Sequence, residues 1–325
     1  MIIRTPFRVS FFGGGTDYSE YFSEYGGSVL STTIDKYCYL SMRRLPPVFE
    51  YKNQLTYSKI ERFNHPSEVE HPLVRAALQY IPTQRIQIAY DADLPACSGV
   101  GSSSSFAVGL LQGLHALRKE FPDRMTLAKE AIHLERELCA EAGGVQDQIA
   151  AAFGGFNRID LSADGYTVKP VQISEDRAAL LQSRLMLVFT GFTHFSGEIS
   201  KEQKRNIPAT LDRLHEMKSL VDSAERILIS GDIDDFGRLL HYSWQCKQTL
   251  SNSISNEYID NIYDVAIKNG ALGGKILGAG GGGFMLLYAD PEKQENIKKA
   301  LGELRSIPFC FEYSGTTLLY EGGLT

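Results

Sequence analysis

Residues 95–105 read Pro-Ala-Cys-Ser-Gly-Val-Gly-Ser-Ser-Ser-Ser, and the segment that follows carries Phe106, Leu110, Leu111, Leu114 and Leu117 at helical spacing. Gly99 and Gly101 lack Cβ atoms, so the backbone there can turn sharply and approach a ligand closely. The first N–H groups of the predicted helix have no partners within it, and the helix dipole favours negative charge at that end. The stretch Ser98–Ser104, with Val100 between the glycines, therefore reads as a seat for phosphate. A serine hydroxyl such as that of Ser102 is a suitable oxygen ligand for Mg²⁺ carried on the phosphates. The same composition also suits a plain turn with a serine helix cap. The loop lacks the Gly-Lys-Ser/Thr ending of a Walker A motif and contains no Gly-x-Gly-x-x-Gly.

Working outward, residues 84–92 alternate apolar and polar and predict a half-buried strand. Residues 126–142 predict a helix with Leu127, Ala131, Leu134, Leu138 and Ala142 on one face. Glu135 falls inside that apolar stripe. A carboxylate placed there needs a metal or a buried arginine, because an uncompensated buried charge is too costly. A further helix starts after Gly143-Gly144 and ends at Gly154-Gly155. Asp147 stands in its first turn, as a structural helix-start acid or as a carboxylate facing a hydroxyl. Residues 156–173 read as a hairpin around Asp164-Gly165. Upstream, residues 1–60 are strand-rich. Arg8 lies in a strand pattern with Phe7, Val9 and Phe11, and suits an exposed strand position on that pattern alone. Gly13-Gly14-Gly15-Thr16-Asp17 follows as a loop able to hug a small polyol, with an Asx-turn as the plainer reading of Asp17.

Downstream, Leu185–Thr190 is a short buried strand, and a helix-rich stretch runs to about Asn269. Five glycines among residues 278–283 precede the strand Phe284–Tyr288. Asp290-Pro291 opens a helix, and a last strand runs near 309–320. Strands and helices interleave in both halves, which predicts two α+β or α/β layer domains, residues 1–177 and 178–325.

The 325 residues are 43% hydrophobic and 22% charged, an ordinary globular composition. The net charge is −6, and no basic tract points to nucleic acid or a membrane surface. Five scattered cysteines without a Cys-x-x-Cys pair predict reduced thiols in the cytoplasm rather than a disulfide scaffold or zinc site. Cys97 reads as a small buried hydrophobe. No apolar run reaches membrane-spanning length, and Arg4 and Arg8 interrupt the N-terminus too early for a signal peptide.

Three separated motifs together resemble the GHMP kinase family, and the resemblance covers essentially the whole chain. They are Pro6-Phe7-Arg8-Val9-Ser10-Phe11-Phe12-Gly13-Gly14-Gly15-Thr16-Asp17-Tyr18, Pro95–Ser105 with Val100 in place of the family's leucine, and Lys275-Ile276-Leu277-Gly278-Ala279-Gly280-Gly281-Gly282-Gly283. The resemblance implies an α+β fold of two domains. An N-terminal mixed α/β domain would carry the phosphate loop, and the C-terminal domain would be ferredoxin-like. It implies ATP and Mg²⁺, with Ser98, Gly99, Val100, Gly101, Ser102, Ser103, Ser104 and Gly280 around the nucleotide, and Ser102 and Glu135 on the metal. Asp147 would face the accepting hydroxyl with Arg8 beside it, and Gly14, Gly15, Thr16, Asp17 and Gly144 would line the sugar.

Galactokinases carry Glu-His where this chain has Gly14-Gly15, a change that opens space for a longer sugar. The N-terminal segment is most similar to the branch that phosphorylates D-glycero-D-manno-heptose 7-phosphate at its anomeric hydroxyl, on the way to GDP-heptose. That implies a small-molecule sugar phosphate as partner, no nucleic acid or membrane, and a monomer or homodimer. A basic site for the 7-phosphate is expected at Lys201 and Lys204, with His194 and Arg205 beside them and Arg43 and Arg44 as rivals. The alternatives are a fucose-type or other sugar-1-kinase, and a catalytically silent regulator that binds sugar and ATP. Retention of both Glu135 and Asp147 argues against the last.

Overall fold

The computed structural model describes residues 1–192 and 196–320. The first domain starts with β1 (Ile2–Phe12), α1 (Ser19–Tyr25), the long β2 (Gly27–Arg44), β3 (Asn53–Thr56), β4 (Ile60–Phe63), α2 (Pro72–Tyr80) and β5 (Ile86–Ala92). It continues with α3 (Ser102–Leu117), α4 (Arg124–Ile132), α5 (Gln146–Phe153), β6 (Phe156–Ser162) and β7 (Gly165–Pro170). The second domain contains α6 (Glu175–Arg184), β8 (Leu185–Phe189), α7 (Ser196–Asn206), α8 (Leu211–Ser230), α9 (Ile233–Gln248) and α10 (Glu257–Lys268). Then come β9 (Ala271–Ile276), β10 (Phe284–Ala289), α11 (Pro291–Ala300) and β11 (Arg305–Ile307), followed by β12 (Phe311–Glu312) and β13 (Thr317–Tyr320).

Strand β2 organises the first sheet. It runs antiparallel to β1 along most of its length, pairs with β6 through Gly27–Thr32, and pairs with β5 through Cys38–Arg44. The expected hairpin around Asp164-Gly165 is β6–β7. The predicted strand at 309–320 is two short pieces, β12 on β2 and β13 on β1. Both return to the first sheet although they lie beyond residue 178.

The second sheet has the order β11-β8-β10-β9, with every pair antiparallel. Numbered within the domain this is 4-1-3-2, the ferredoxin-like order, with α7–α10 in the first crossover and α11 in the second. Strand β10 is buried on both faces. Phe284, Leu286 and Tyr288 join a core shared with the first domain, whereas Met285 and Leu287 pack with Trp244 and Ile259 beneath the second sheet. The two-residue period of the strand thus sends one set of side chains into the core it shares with the first sheet and the other into a second core that also takes in Tyr18 and Tyr21.

Three further expectations change. Helix α3 is buried almost all round rather than along one stripe, because the sheet, α4 and α5 pack on it. The helix predicted over 126–142 is α4 plus a π-helical turn, His133–Leu138, after which the chain leaves helical geometry. Cys97 is exposed and has a positive φ of 57°, so it is not a core residue.

Candidate active site

A cavity of about 570 Å³ lies in the cleft between the domains, lined by Arg8, Asp17 and Asp147 from the first and Lys247, Lys275 and Gly278 from the second. The phosphate loop forms its floor. Gly101 has φ +77°, and a Cβ there would lie 3.3 Å from Arg8 Cγ and 3.4 Å from Asp147 Oδ2. A Cβ on Gly99 would meet the Leu277 carbonyl oxygen at 2.5 Å, and one on Gly278 would lie 2.7 Å from Gly99 Cα. The two glycine turns therefore pack backbone to backbone, and Phe284 N–H donates to the Ser98 carbonyl at 3.0 Å. The first bond of α3 runs from Ser105 N–H to the Gly101 carbonyl, leaving the N–H groups of Ser102, Ser103 and Ser104 outside the helix ladder.

Arg8 is 4% exposed. The phosphate loop and the start of α5 cover it, which removes it from the exposed strand position its alternation suggests. Its Nε donates to Asp147 Oδ1 and its Nη2 to Asp147 Oδ2, both at 2.8 Å, and its Nη1 reaches the Gly99 carbonyl at 2.5 Å. This is a bidentate pair of the charge-assisted kind. Asp17 is buried beside it and accepts from Gly15 N–H at 2.9 Å and from Gln146 Nε2 at 3.0 Å. Burial raises its carboxyl above the usual aspartate value, and the charge of Asp147 adds to the rise. A Cβ on Gly144 would sit 1.8 Å from Asp17 Oδ2, so only glycine fits there. Ser10 Oγ and Gln146 Oε1, both buried at the cavity wall, have no protein partner among the described residues. They are free for the hydroxyls of a polyol.

Glu135 is 1% exposed and lies in the π-helical turn, a geometry frequent at functional sites. Ser103 Oγ donates to its Oε1 at 2.9 Å, Ser104 Oγ to its Oε2 at 2.7 Å, and Gln148 Nε2 also donates to Oε2. Among the described residues it has no ionic partner; neighbouring Arg136 turns to the carbonyls of Gly144 and Glu141. The buried arginine allowed by the sequence is thus absent there. An uncompensated carboxylate with hydroxyls around it, on the cavity wall, fits a hard cation. No cluster of three or more acidic, histidine or cysteine ligands occurs among the described residues. A nucleotide-borne Mg²⁺ needs none, because it keeps waters and phosphate oxygens as ligands.

Beyond the phosphate loop the cavity continues between Tyr57, His71, Tyr90 and Phe106. Tyr90 meets Phe106 edge-on at 5.1 Å, and His71 lies 5.4 Å from Phe106. Burial pushes the His71 imidazole below its usual value, which favours the neutral ring. The result is an apolar slot suited to a flat ring.

Residues 70–155 match the family model for the GHMP kinases N terminal domain, and residues 220–305 match that for the GHMP kinases C terminal domain. The chain is 30% identical over 311 residues to a D-glycero-alpha-D-manno-heptose 7-phosphate kinase of Campylobacter jejuni, covering 92% of each. The chain belongs to the GHMP kinase family. A crystal structure of a D-glycero-D-manno-heptose 1-phosphate kinase from Bacteroides thetaiotaomicron superposes with a TM-score of 0.80 at 25% identity, over 98% of this chain and 99% of that one. A bifunctional fucokinase/GDP-fucose pyrophosphorylase of Arabidopsis thaliana is 26% identical over 93% of this chain and 31% of its own. The protein is a GHMP sugar kinase, a phosphotransferase with an alcohol acceptor.

The kinase cavity gathers Arg8, Gly14, Gly15, Asp17, Gly99, Gly101, Ser102, Ser103, Ser104, Glu135, Gly144, Asp147 and Gly280, as the motifs suggest. The other sequence-derived candidates among the described residues lie elsewhere. Ser98 and Val100 anchor the loop from behind, Val100 by accepting from Arg8 N–H at 3.0 Å. Thr16 is a buried brace whose hydroxyl bonds the carbonyls of Gly13 and Ser28. Helix α7 turns Ser200 and Gln203 to the cavity, so Lys201 pairs with Glu198 and Lys204 with Glu20 instead. A helix rotates about 100° per residue, so one position decides which side chain faces the cavity. Arg205 does not line the cavity either. Arg43 and Arg44 are held by Gln87 and by the carbonyls of Gln84 and Leu117, and His194 lies outside the described residues. Sequence reasoning missed the aromatic slot, whose members come from four separate segments: the turn after β3, the residue before α2, β5 and α3. It also missed Lys247, which carries no motif, and gave no role to Lys275 within the third motif.

Proposed function

We propose that this sugar kinase transfers the γ-phosphoryl group of ATP to the anomeric hydroxyl of D-glycero-D-manno-heptose 7-phosphate. The observation that carries the reading is the Arg8–Asp147 pair against Gly101, which places an acid and a guanidinium at the edge of the phosphate loop. Asp147 orients the hydroxyl, whose oxygen attacks the γ-phosphorus. The bond from phosphorus to the ADP oxygen breaks, its electron pair stays on ADP, and the hydroxyl proton passes towards Asp147. Arg8, bridging Asp147 and the Gly99 carbonyl, stabilises charge between donor and acceptor. Such positioning and charge stabilisation dominate phosphoryl transfer. The N–H groups of Ser102–Ser104 face the phosphates, and the slot of Tyr90 and Phe106 receives the adenine. Glu135 and a loop serine would hold Mg²⁺, which when bound neutralises phosphate charge.

Space at Gly14 supports a long sugar. A Cβ there would approach nothing closer than 3.8 Å, so the glycine leaves room between Ser10 and Gln146. Similarity to the two heptose phosphate kinases supports the same substrate class. A second reading, a fucose-type sugar-1-kinase, is favoured by one observation: Lys201 and Lys204 do not line the cavity. The deciding experiment offers ATP with heptose 7-phosphate, heptose 1-phosphate, unphosphorylated heptose, fucose, galactose and mannose, and reads the new phosphate by ³¹P NMR. Heptose 1,7-bisphosphate formed from the 7-phosphate alone is the expected result. Equal use of unphosphorylated heptose, or preference for fucose, would transfer the proposal to the second reading.

A further inference from the structure

Lys247, near the C-terminal end of α9, is 5% exposed, yet it has no carboxylate within ion-pair distance among the described residues. Its Nζ donates to the Gly278 carbonyl at 2.5 Å and to the Ile276 carbonyl at 3.2 Å. An ammonium has three donors, so one remains. Gly278 is the residue that packs against Gly99, and Arg8 bonds the Gly99 carbonyl from the other domain. The lysine is therefore pinned where the phosphate loop meets the second domain, on the wall of the same cavity as Arg8 and Asp147. A buried cation without a counter-ion is costly, and the cost falls when an anionic ligand enters.

We propose that Lys247 is a catalytic residue whose ammonium contacts the transferring phosphoryl group from the second-domain side of the cleft, opposite the N-terminus of α3. The proposal rests on the sugar-kinase reading above and adds a residue to its machinery. The groups that face this lysine are Arg8 on β1, Asp17 in the glycine loop, Asp147 on α5 and Lys275 on β9. Burial, with the charge of Arg8 next, pushes Lys247 down to about 7. The amine thus sheds its proton readily in the empty cleft and regains it beside phosphate. A lysine allows this exchange, whereas an arginine would stay charged throughout.

Two measurements test it. Lys247→Met, a substitution of similar length, should lower kcat about 10²-fold, the scale for losing one preorganised charge-stabilising donor, while KM for ATP and sugar phosphate moves much less. Lys247→Arg should recover part of the loss, which a purely packing role would not allow. Separately, calorimetric titration of a non-hydrolysable ATP analogue with Mg²⁺ at pH 8, in two buffers of different ionisation enthalpy, should show proton uptake in the natural protein and clearly less in Lys247→Met. Unchanged kcat with unchanged proton uptake overturns the proposal. So does a selective rise in KM for the sugar phosphate, which would assign Lys247 to the substrate's own phosphate. If the natural protein phosphorylates no sugar offered, the kinase reading fails on that result alone. The proton-uptake comparison still decides whether Lys247 meets the nucleotide phosphates.

Discussion

Arg8 grips Asp147 through two parallel hydrogen bonds of 2.8 Å, while its remaining nitrogen holds the Gly99 carbonyl of the phosphate loop. One guanidinium thereby sets the distance between the acid proposed to face the acceptor and the loop proposed to hold the donor. Orientation of this kind supplies a large part of the catalytic effect when two substrates must meet. With both Asp147 oxygens engaged by Arg8, each still has lone-pair capacity for a substrate hydroxyl.

Asp147→Asn keeps the shape but sets an amide N–H₂ against a guanidinium that can only donate. Turnover should fall about 10²-fold or more, the usual scale of a general-base contribution. Affinity for ATP, measured by calorimetric titration, should change little, because the phosphate loop is anchored independently through Val100 and Ser98. Near-normal turnover would remove Asp147 from the chemistry.

Glu135→Gln should raise the Mg²⁺ concentration needed for half-maximal rate about tenfold and lower kcat. It should not lower the melting temperature, since it removes a buried charge that lacks an ionic partner, its one oxygen can keep the bonds of Ser104 and Gln148, and the Ser103 hydroxyl can turn to accept from its amide N–H₂. Strong destabilisation with unchanged Mg²⁺ dependence would mean that the carboxylate only braces the helix.

Two glycines of the proposed sugar end should behave oppositely. Gly144→Ala forces a Cβ to 1.8 Å from Asp17 Oδ2, so Asp17 must move, and kcat/KM for the sugar should collapse. Gly14→Ala meets only ordinary contacts at 3.8 Å. It should leave the melting temperature within about 1 °C, a shift well below 1 kcal/mol for a chain of this size, and raise KM for the sugar severalfold by filling space. Equal effects at both sites would contradict the different roles assigned to them.

Asp17 contributes a pH dependence of definite sign. Its folded-state value lies above the ordinary 3.8 through burial first and the Asp147 charge second. The stability it contributes is fully present below the unfolded value and is lost as pH rises through the folded one. Asp17→Asn removes that loss. The variant should therefore melt at or above the natural protein at pH 8, with the difference shrinking towards pH 4, while sugar turnover falls. A variant less stable at pH 8 than at pH 4, relative to the natural protein, would reverse the assignment.

Much of this was legible in the order of residues alone. Glycines that must turn sharply, a helix start and a carboxylate inside an apolar stripe are local signals. Each follows from backbone sterics or from the cost of buried charge, so Gly99, Gly101, Glu135 and Asp147 could be singled out without coordinates. The strands Leu185–Phe189 and Phe284–Ala289 and the helix opened by Asp290-Pro291 are local in the same sense. Only the tertiary structure decided what those residues touch. Arg8 reads as an exposed strand residue until a loop about ninety positions away folds over it. Lys201 and Lys204 read as a basic site until one step of helical rotation gives the cavity to Ser200 and Gln203. Lys247 has no motif, and it becomes notable only because burial strips its ammonium of water and places it at the seam between two glycine turns. Periodicity and turn chemistry act over a few residues. The surroundings of a charge are set by chain segments hundreds of positions apart, and those segments meet only when the two sheets close around a common core.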